Sequence, residues 1–265
     1  MPFRRTFRPL AAALSLFAAA PAAAQPAPAT PVDAEIVLAV DVSRSMDMDE
    51  FDIQRDGYVA ALRHPDLMRA VTAGRLGKVA IAYFEWGGRA QDHAVIPWRI
   101  IDGPDAASRM ADEIAAMPRI QARGTSISRA LGVGSALIDD GSVEGARRII
   151  DISGDGANNV GPPVTGARDA TLARGITING LPIIASPGTM PDLDSYYRDC
   201  VVGGDGAFVL VARNAAELGF AIRRKLVLEI SGTEPPLRAI PADYAPTDCL
   251  IGEKQFRGRN LDGFR

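Results

Sequence analysis

Histidine, cysteine and aromatic residues are scarce in this sequence of 265 residues. It contains two histidines and two cysteines, and aromatic residues make up 6% of it. His64 and His93 stand alone in the sequence, which argues against a zinc site built from closely spaced histidine and cysteine. Basic residues are not in surplus either: 29 Lys and Arg face 32 Asp and Glu, so a nucleic-acid partner is not expected. The 47% hydrophobic content excludes a disordered acidic chain.

The common enzyme motifs are missing as well. The sequence has no Gly-x-Ser-x-Gly elbow, no Gly-x-Gly-x-x-Gly after a predicted strand, no phosphate-binding lysine loop and no His-Glu-x-x-His. Asp41-Val42-Ser43 is not the Asp-x-Asp pair of an aspartyl-phosphate enzyme. We therefore predict a protein that is not an enzyme.

Residues 1–24 differ in composition from the rest of the chain. Three arginines precede a short apolar run over residues 10–20, and small residues follow up to Ala24. This is the pattern of a secretory signal peptide, whereas a membrane anchor would need roughly 20 apolar residues. We expect cleavage near Ala24 and export to the periplasm or the medium. The loss of three arginines would leave 241 residues with a formal charge of −6 and no membrane span.

The mature chain is expected to start with a linker and to end with a tail. Residues 25–33 are a Pro/Ala linker, and residues 232–265 are rich in Pro, Gly and Arg without periodicity, so we expect a loose extension there. Cys200 and Cys249 are the only cysteines, and an oxidising compartment favours a disulfide between them over two free buried thiols. This bond would tie the tail to the preceding domain.

Apolar runs alternate with helical patterns between these ends. The runs typical of buried strands cover residues 35–40, 79–84, 148–152, 176–184 and 207–211. A further run, residues 94–100, contains Pro97 and is predicted to be an antiparallel edge strand. Helices are expected after the first strand, from Ile127 to Ile138, between Pro163 and Gly175, and between Asn214 and Gly232. The sequence thus predicts an α/β fold of the Rossmann-like, doubly wound type, with helices on both faces of a mainly parallel sheet.

Oxygen-bearing side chains cluster where three of these segments approach one edge of the sheet. Asp41, Ser43 and Ser45 form an Asp-x-Ser-x-Ser motif at the end of the first strand. Thr125 opens a helix, and Asp155 follows the strand that starts at Arg148. Ligands of open α/β sheets bind at the carboxyl ends of the strands. Carboxylate and hydroxyl oxygens suit a hard divalent cation, so these five residues are the candidate metal ligands.

The motif resembles the metal-ion-dependent adhesion site of von Willebrand factor type A domains. Asp41, Ser43, Ser45, Thr125 and Asp155 match its five positions in order, and the resemblance spans residues 34–231. The surrounding sequence is similar to that of an uncharacterised family of exported bacterial A-domain proteins. The similar segment includes Ser153-Gly154-Asp155-Gly156-Ala157-Asn158-Asn159.

The resemblance implies a Mg²⁺ ion, with Mn²⁺ or Ca²⁺ as alternatives, whose open position takes a carboxylate from a protein partner. The chain would then be a metal-dependent protein-binding module. Two alternatives stay open: a metal-assisted hydrolase that uses the same site, and a metal-free structural A-domain. One departure concerns Gly154, because A-domains commonly have Thr or Ser directly before the second Asp; Asp151 is therefore an alternative to Asp155.

Overall fold

The computed structural model describes residues 28–46, 48–88, 90–185, 189–233, 235 and 244–262. The predicted signal peptide lies outside the described residues. In the described part, the strands are β1 (Thr30–Val32), β2 (Glu35–Asp41), β3 (Val79–Trp86), β4 (Ala90–Ile101), β5 (Val143–Gly145), β6 (Arg148–Gly154) and β7 (Thr177–Pro182). The α-helices there are α1 (Met48–Arg63), α2 (Pro65–Thr72), α3 (Pro104–Ala115), α4 (Ile127–Ile138), α5 (Val164–Leu172), α6 (Leu193–Tyr196), α7 (Ala215–Ser231) and α8 (Ile251–Asp262).

Five strands form the main sheet in the order β4-β3-β2-β6-β7. The strand β4 runs antiparallel to β3, and the other neighbours are parallel. The prediction of an antiparallel edge strand around Pro97 is thus confirmed. An edge position tolerates this proline because one side of the strand needs no ladder hydrogen bonds.

Helices cover both faces of this sheet, as predicted. Helix α1 contacts α3 and α7 on one face, and α4 contacts α5 on the other. Alternate residues of β2 divide between the two cores: Ile36, Leu38 and Val40 pack with α1 and α7, whereas Val37 and Ala39 pack with α4. This division explains why β2 is apolar at nearly every position, since both of its faces are buried.

The strand predicted for residues 207–211 is wrong. Only isolated bridges join this segment to β7, for example between Gly180 and Val209. The amide of Leu210 donates to Gly180, and the next donor in a parallel ladder would be residue 182. That residue is Pro182, which has no N–H, so the ladder is interrupted there.

Both ends of the described chain are more ordered than the sequence suggests. Strand β1 lies inside the predicted linker and pairs with β5. Helix α8 lies in the tail for which a loose extension was expected. The predicted disulfide between Cys200 and Cys249 is present and joins this tail to the π-helical turn Tyr197–Val201.

Candidate metal site

The Asp-x-Ser-x-Ser motif forms a tight turn after β2. Asp41 is the last residue of β2 and is fully buried. The amide of Ser43 donates a 2.7 Å hydrogen bond to Oδ1 of Asp41, which folds the chain back over the carboxylate. The Oγ atoms of Ser43 and Ser45 lie 2.9 Å apart. The turn therefore brings the three alternate side chains of the motif together, as the spacing predicts.

Asp155 meets this turn from the neighbouring strand. It directly follows β6, and its Oδ1 accepts a 2.7 Å hydrogen bond from Oγ of Ser45. Because β2 and β6 are parallel neighbours, their carboxyl ends lie side by side. Four of the five candidate ligands are thus linked in one group at the predicted edge of the sheet.

Thr125 approaches the same group from the loop before α4. This loop is held against the motif by a parallel bridge between Ser43 and Ala122. Thr125 is buried, and a Cβ atom added to Gly156 would lie 3.6 Å from its Oγ1. The hydroxyl of Thr125 therefore lies beside the residue that follows Asp155.

Sequence reasoning missed the residue that positions Thr125. Asn159 accepts a 2.9 Å hydrogen bond from the amide of Thr125 through Oδ1, and its own amide donates to the Thr125 carbonyl at 2.9 Å. The adjacent Asn158 accepts from the amide of Ser128 at 3.1 Å, and its Nδ2 donates to Glu253 of α8 at 2.7 Å. The Asn-Asn pair shortly after Asp155 was the available signal, because asparagine side chains commonly bond to loop backbone.

Burial makes the two carboxylates difficult to ionise together. Burial raises the pKa of Asp41 well above its ordinary value, and the negative charge of Asp155 raises it further. Burial likewise raises the pKa of Asp155 from 3.8 to about 6, with the hydrogen bond from Ser45 opposing the shift and Glu50 adding to it. A nearby positive charge would favour the ionised form of both groups.

Gly154 makes room for an unusual arrangement of polar atoms. In the described part of the chain, neither Oδ2 of Asp41 nor the hydroxyl of Tyr197 has a hydrogen-bond partner, and both are buried. A Cβ atom at Gly154 would lie 2.7 Å from Asp41 Oδ2 and 2.9 Å from the Tyr197 hydroxyl. A serine or threonine there would collide with both groups. This explains why glycine replaces the Thr or Ser that A-domains commonly have directly before the second Asp. No sequence signal pointed to Tyr197.

These residues fit a hard divalent cation. The group offers two carboxylates and three hydroxyls, all of them oxygen donors. The buried Oδ2 of Asp41 lacks a hydrogen-bond partner within the described chain, and a buried charged oxygen without a partner is costly. A cation would satisfy this oxygen and reduce the repulsion between Asp41 and Asp155.

The alternative ligand Asp151 lies elsewhere. It is a mid-strand residue of β6, and its Oδ1 lies 2.6 Å from Nζ of the fully buried Lys225. Nζ of Lys225 also lies 2.5 Å from Oε1 of Glu229, and Nδ2 of Asn179 donates a 2.9 Å hydrogen bond to that Glu229 oxygen. Burial, together with the charge of Asp151, raises the pKa of Glu229 to about 8. Asp151 thus belongs to a polar cluster within the core and is separate from the ligand group.

A profile of the family described as "Protein of unknown function (DUF1194)" matches residues 31–234. The chain belongs to the DUF1194 family. No curated protein matches it. Within the described part of this DUF1194 chain, no helix combines the length and the apolar character needed to cross a membrane.

Solved structures show that this DUF1194 chain has a von Willebrand factor type A fold, as the motif implied. Proximal thread matrix protein 1 from the mussel byssus, "with zinc occupied MIDAS motif", is 17% identical with a TM-score of 0.58, over 77% of this chain and 49% of that one. The pilus adhesin SpaC from Lactobacillus rhamnosus GG is 14% identical with a TM-score of 0.56, over 77% of this chain and 31% of SpaC.

The vWF domain of the type V pili tip protein Mfa5 from Porphyromonas gingivalis is 11% identical with a TM-score of 0.54, over 80% of this chain and 99% of that domain. This chain therefore spans about half of the mussel protein and about a third of SpaC, but nearly all of the Mfa5 domain. At these identities the likeness concerns the fold alone.

Proposed function

We propose that this DUF1194 chain is an exported, divalent-cation-dependent protein-binding module. The ion, Mg²⁺ or alternatively Mn²⁺ or Ca²⁺, is held by Asp41, Ser43, Ser45, Thr125 and Asp155. The observation that carries the proposal is the buried Oδ2 of Asp41, which has no hydrogen-bond partner in the described chain although Asp155 lies in the same group. A cation accounts for this pairing of like charges, which burial otherwise makes unfavourable.

The composition of the group favours capture of an acidic partner. Three of the five donors are neutral hydroxyls. Only the two carboxylates carry negative charge against the divalent ion. Each hydroxyl or water in the shell leaves the ion more electrophilic than another carboxylate would. A carboxylate of a second protein is the natural ligand for such an ion, since Mg²⁺ prefers hard oxygen donors.

The similar structures support a role in protein interaction. SpaC is described as a pilus adhesin and Mfa5 as a pili tip protein, and the mussel protein is described with a zinc-occupied MIDAS motif. Their shared fold favours a binding module. A hydrolase would need, besides the metal, a group that activates water. His64 is engaged at the start of α2, where its Nδ1 accepts from the amide of Asp66 and its Nε2 lies 2.9 Å from Arg223 Nη1.

Export is supported by two independent features. Residues 1–24 carry the pattern of a signal peptide. Cys200 and Cys249 form a disulfide, a bond that persists in oxidising compartments. Both features agree with a module that meets its partner outside the cytoplasm.

The test is affinity capture from the exported protein fraction of the source cells, with the wild-type chain as bait. A partner should be retained in Mg²⁺ and released by a chelator, and Asp41→Asn should not retain it. Asp49→Asn is the matched control, because Asp49 is exposed in the first turn of α1 and is not one of the five proposed ligands. A partner held equally well in chelator would contradict the proposal. So would a screen in which the wild type, but not Asp41→Asn, hydrolyses phosphate or carboxylate esters.

A further inference from the structure

Two arginines flank residues of the candidate metal site: Arg44 stands between Ser43 and Ser45, and Arg123 stands two residues before Thr125. The bridge between Ser43 and Ala122 places Arg44 next to Arg123, and the amide of Arg44 donates to the Ala122 carbonyl at 3.0 Å. Both arginines are exposed. Two exposed positive charges on adjacent backbone segments favour an anionic partner at this position.

Neither arginine has an ion-pair partner among the residues that the structure describes, and the exposed Asp49 pairs with neither of them. Several other arginines of the surface are paired: Arg63 with Asp112, Arg69 with Asp66, Arg119 with Asp52, Arg174 with Asp139 and Arg213 with Asp194. Other exposed arginines, such as Arg75, also form no ion pair in the described chain, so what distinguishes Arg44 and Arg123 is their position beside the candidate ligands.

Two exposed apolar residues lie on segments next to the motif. Met48 is 47% exposed and Ile120 is 38% exposed, and they are two of the four large hydrophobic residues found exposed in the described chain. Their segments are in contact, because Nε2 of Gln121 donates a 2.9 Å hydrogen bond to the carbonyl of Met46. An exposed apolar side chain near a charged site offers a contact that a partner can bury.

We propose that the partner segment carries two acidic side chains and a neighbouring apolar one. One carboxylate completes the shell of the ion, the second pairs with Arg44 and Arg123, and the apolar side chain packs on Met48 and Ile120. The inference rests on the proposed function and adds to it the chemistry of the partner. Charge complementarity supports it, since an acidic partner would meet the two exposed positive charges.

The test uses short fluorescent peptides in place of the unidentified partner. The set carries one Asp, two Asp residues, or two Asp residues with a Leu, and affinity is read by fluorescence anisotropy in Mg²⁺ and in EDTA. The variant Arg44→Gln/Arg123→Gln should bind both two-acid peptides about tenfold more weakly, the effect of losing two exposed ion pairs. Its affinity for Mg²⁺, measured by calorimetry, should be unchanged or up to about threefold tighter, because two positive charges near the ion are removed.

Two further variants complete the design. Arg69→Gln/Arg75→Gln removes the same charge from exposed positions at or just after α2 and should bind every peptide like the wild type. Met48→Gln/Ile120→Gln should lose the preference for the Leu peptide and keep the preference for two acids.

The outcomes separate the two proposals. Intact Mg²⁺ binding, with the one-acid peptide bound as tightly as the others, would overturn the inference and leave the proposed function standing. Intact Mg²⁺ binding without capture of any acidic peptide would overturn it as well. Equal capture of inorganic phosphate and the two-acid peptides would show a general anion site instead. A wild type that does not bind Mg²⁺ would reject the proposed function itself.

Discussion

Ser45 and Asp155 are 110 positions apart in the sequence and are joined by a hydrogen bond of 2.7 Å between Oγ and Oδ1. The contact links the turn after β2 to the loop after β6. It also identifies Asp155, and not Asp151, as the carboxylate that accompanies Asp41.

Gly154→Ala should damage the site. Its Cβ would lie 2.7 Å from Asp41 Oδ2 and 2.9 Å from the Tyr197 hydroxyl, so Asp41 or Tyr197 has to move. We expect a loss of about 1–3 kcal/mol in the free energy of unfolding, measured in urea. Displacement of Asp41 should also weaken Mg²⁺ binding by about tenfold or more.

Gly156→Ala is the control for this substitution. A Cβ at Gly156 meets no atom closer than 3.6 Å, and the φ of this glycine is not positive. Its unfolding free energy should stay within about 1 kcal/mol of the wild type. Equal effects of the two substitutions would contradict the crowding that we describe around Gly154.

Asp155 should make the stability of the metal-free protein depend on pH. Its pKa is raised from 3.8 to about 6, chiefly by burial, so the folded chain keeps a proton that the unfolded chain releases. The stabilising effect of this proton is complete below about pH 4 and is lost as the pH rises through about 6, by at most about 3 kcal/mol. Thermal melts in EDTA should therefore show stability falling over this range more steeply for the wild type than for Asp155→Asn.

Saturating Mg²⁺ should oppose this fall in the wild type, because the ion replaces the proton between the carboxylates. Asp155→Asn should show little response to Mg²⁺ at any pH. Identical pH profiles of the two proteins in EDTA would show that Asp155 titrates in the folded chain as it does in the unfolded one.

The disulfide should stabilise both the fold and the packing of α8. Cys200 and Cys249 are 49 positions apart, and a loop of this length contributes about 4 kcal/mol on the chain-entropy argument. The Cys200→Ser/Cys249→Ser variant should unfold at lower urea concentration. Trypsin should also cut sooner at the exposed Lys254 of α8. An unchanged urea midpoint, or two free thiols in the non-reduced wild type, would contradict this expectation.

Periodicity predicted much of this fold because both faces of the sheet are covered by helices. Strand β2 and helix α4 formed where their apolar patterns placed them. The segment at 207–211 has the same apolar character, but its neighbour Pro182 lacks the N–H that a ladder needs. A sequence pattern describes one segment, whereas a ladder depends on two.

The placement of the candidate ligands was predictable in part, and their role as metal ligands stays a prediction. Asp41, Ser43 and Ser45 share one turn, and the parallel neighbour β6 brings Asp155 to it, as spacing and topology predict. Thr125 comes from the loop before α4, which the bridge between Ser43 and Ala122 holds against the turn. Tyr197 reaches Asp41 from a π-helical turn far along the chain, and only tertiary packing creates that approach. Arg44 and Arg123 likewise become neighbours only through the bridge at Ala122.

Calorimetric titration of Mg²⁺ into the purified wild type, Asp41→Asn and Asp49→Asn tests the central claim most directly. The account predicts one ion per chain for the wild type and for Asp49→Asn, and no measurable binding by Asp41→Asn at neutral pH. Failure of the wild type to bind Mg²⁺, Mn²⁺ or Ca²⁺, or unchanged binding by Asp41→Asn, would contradict it.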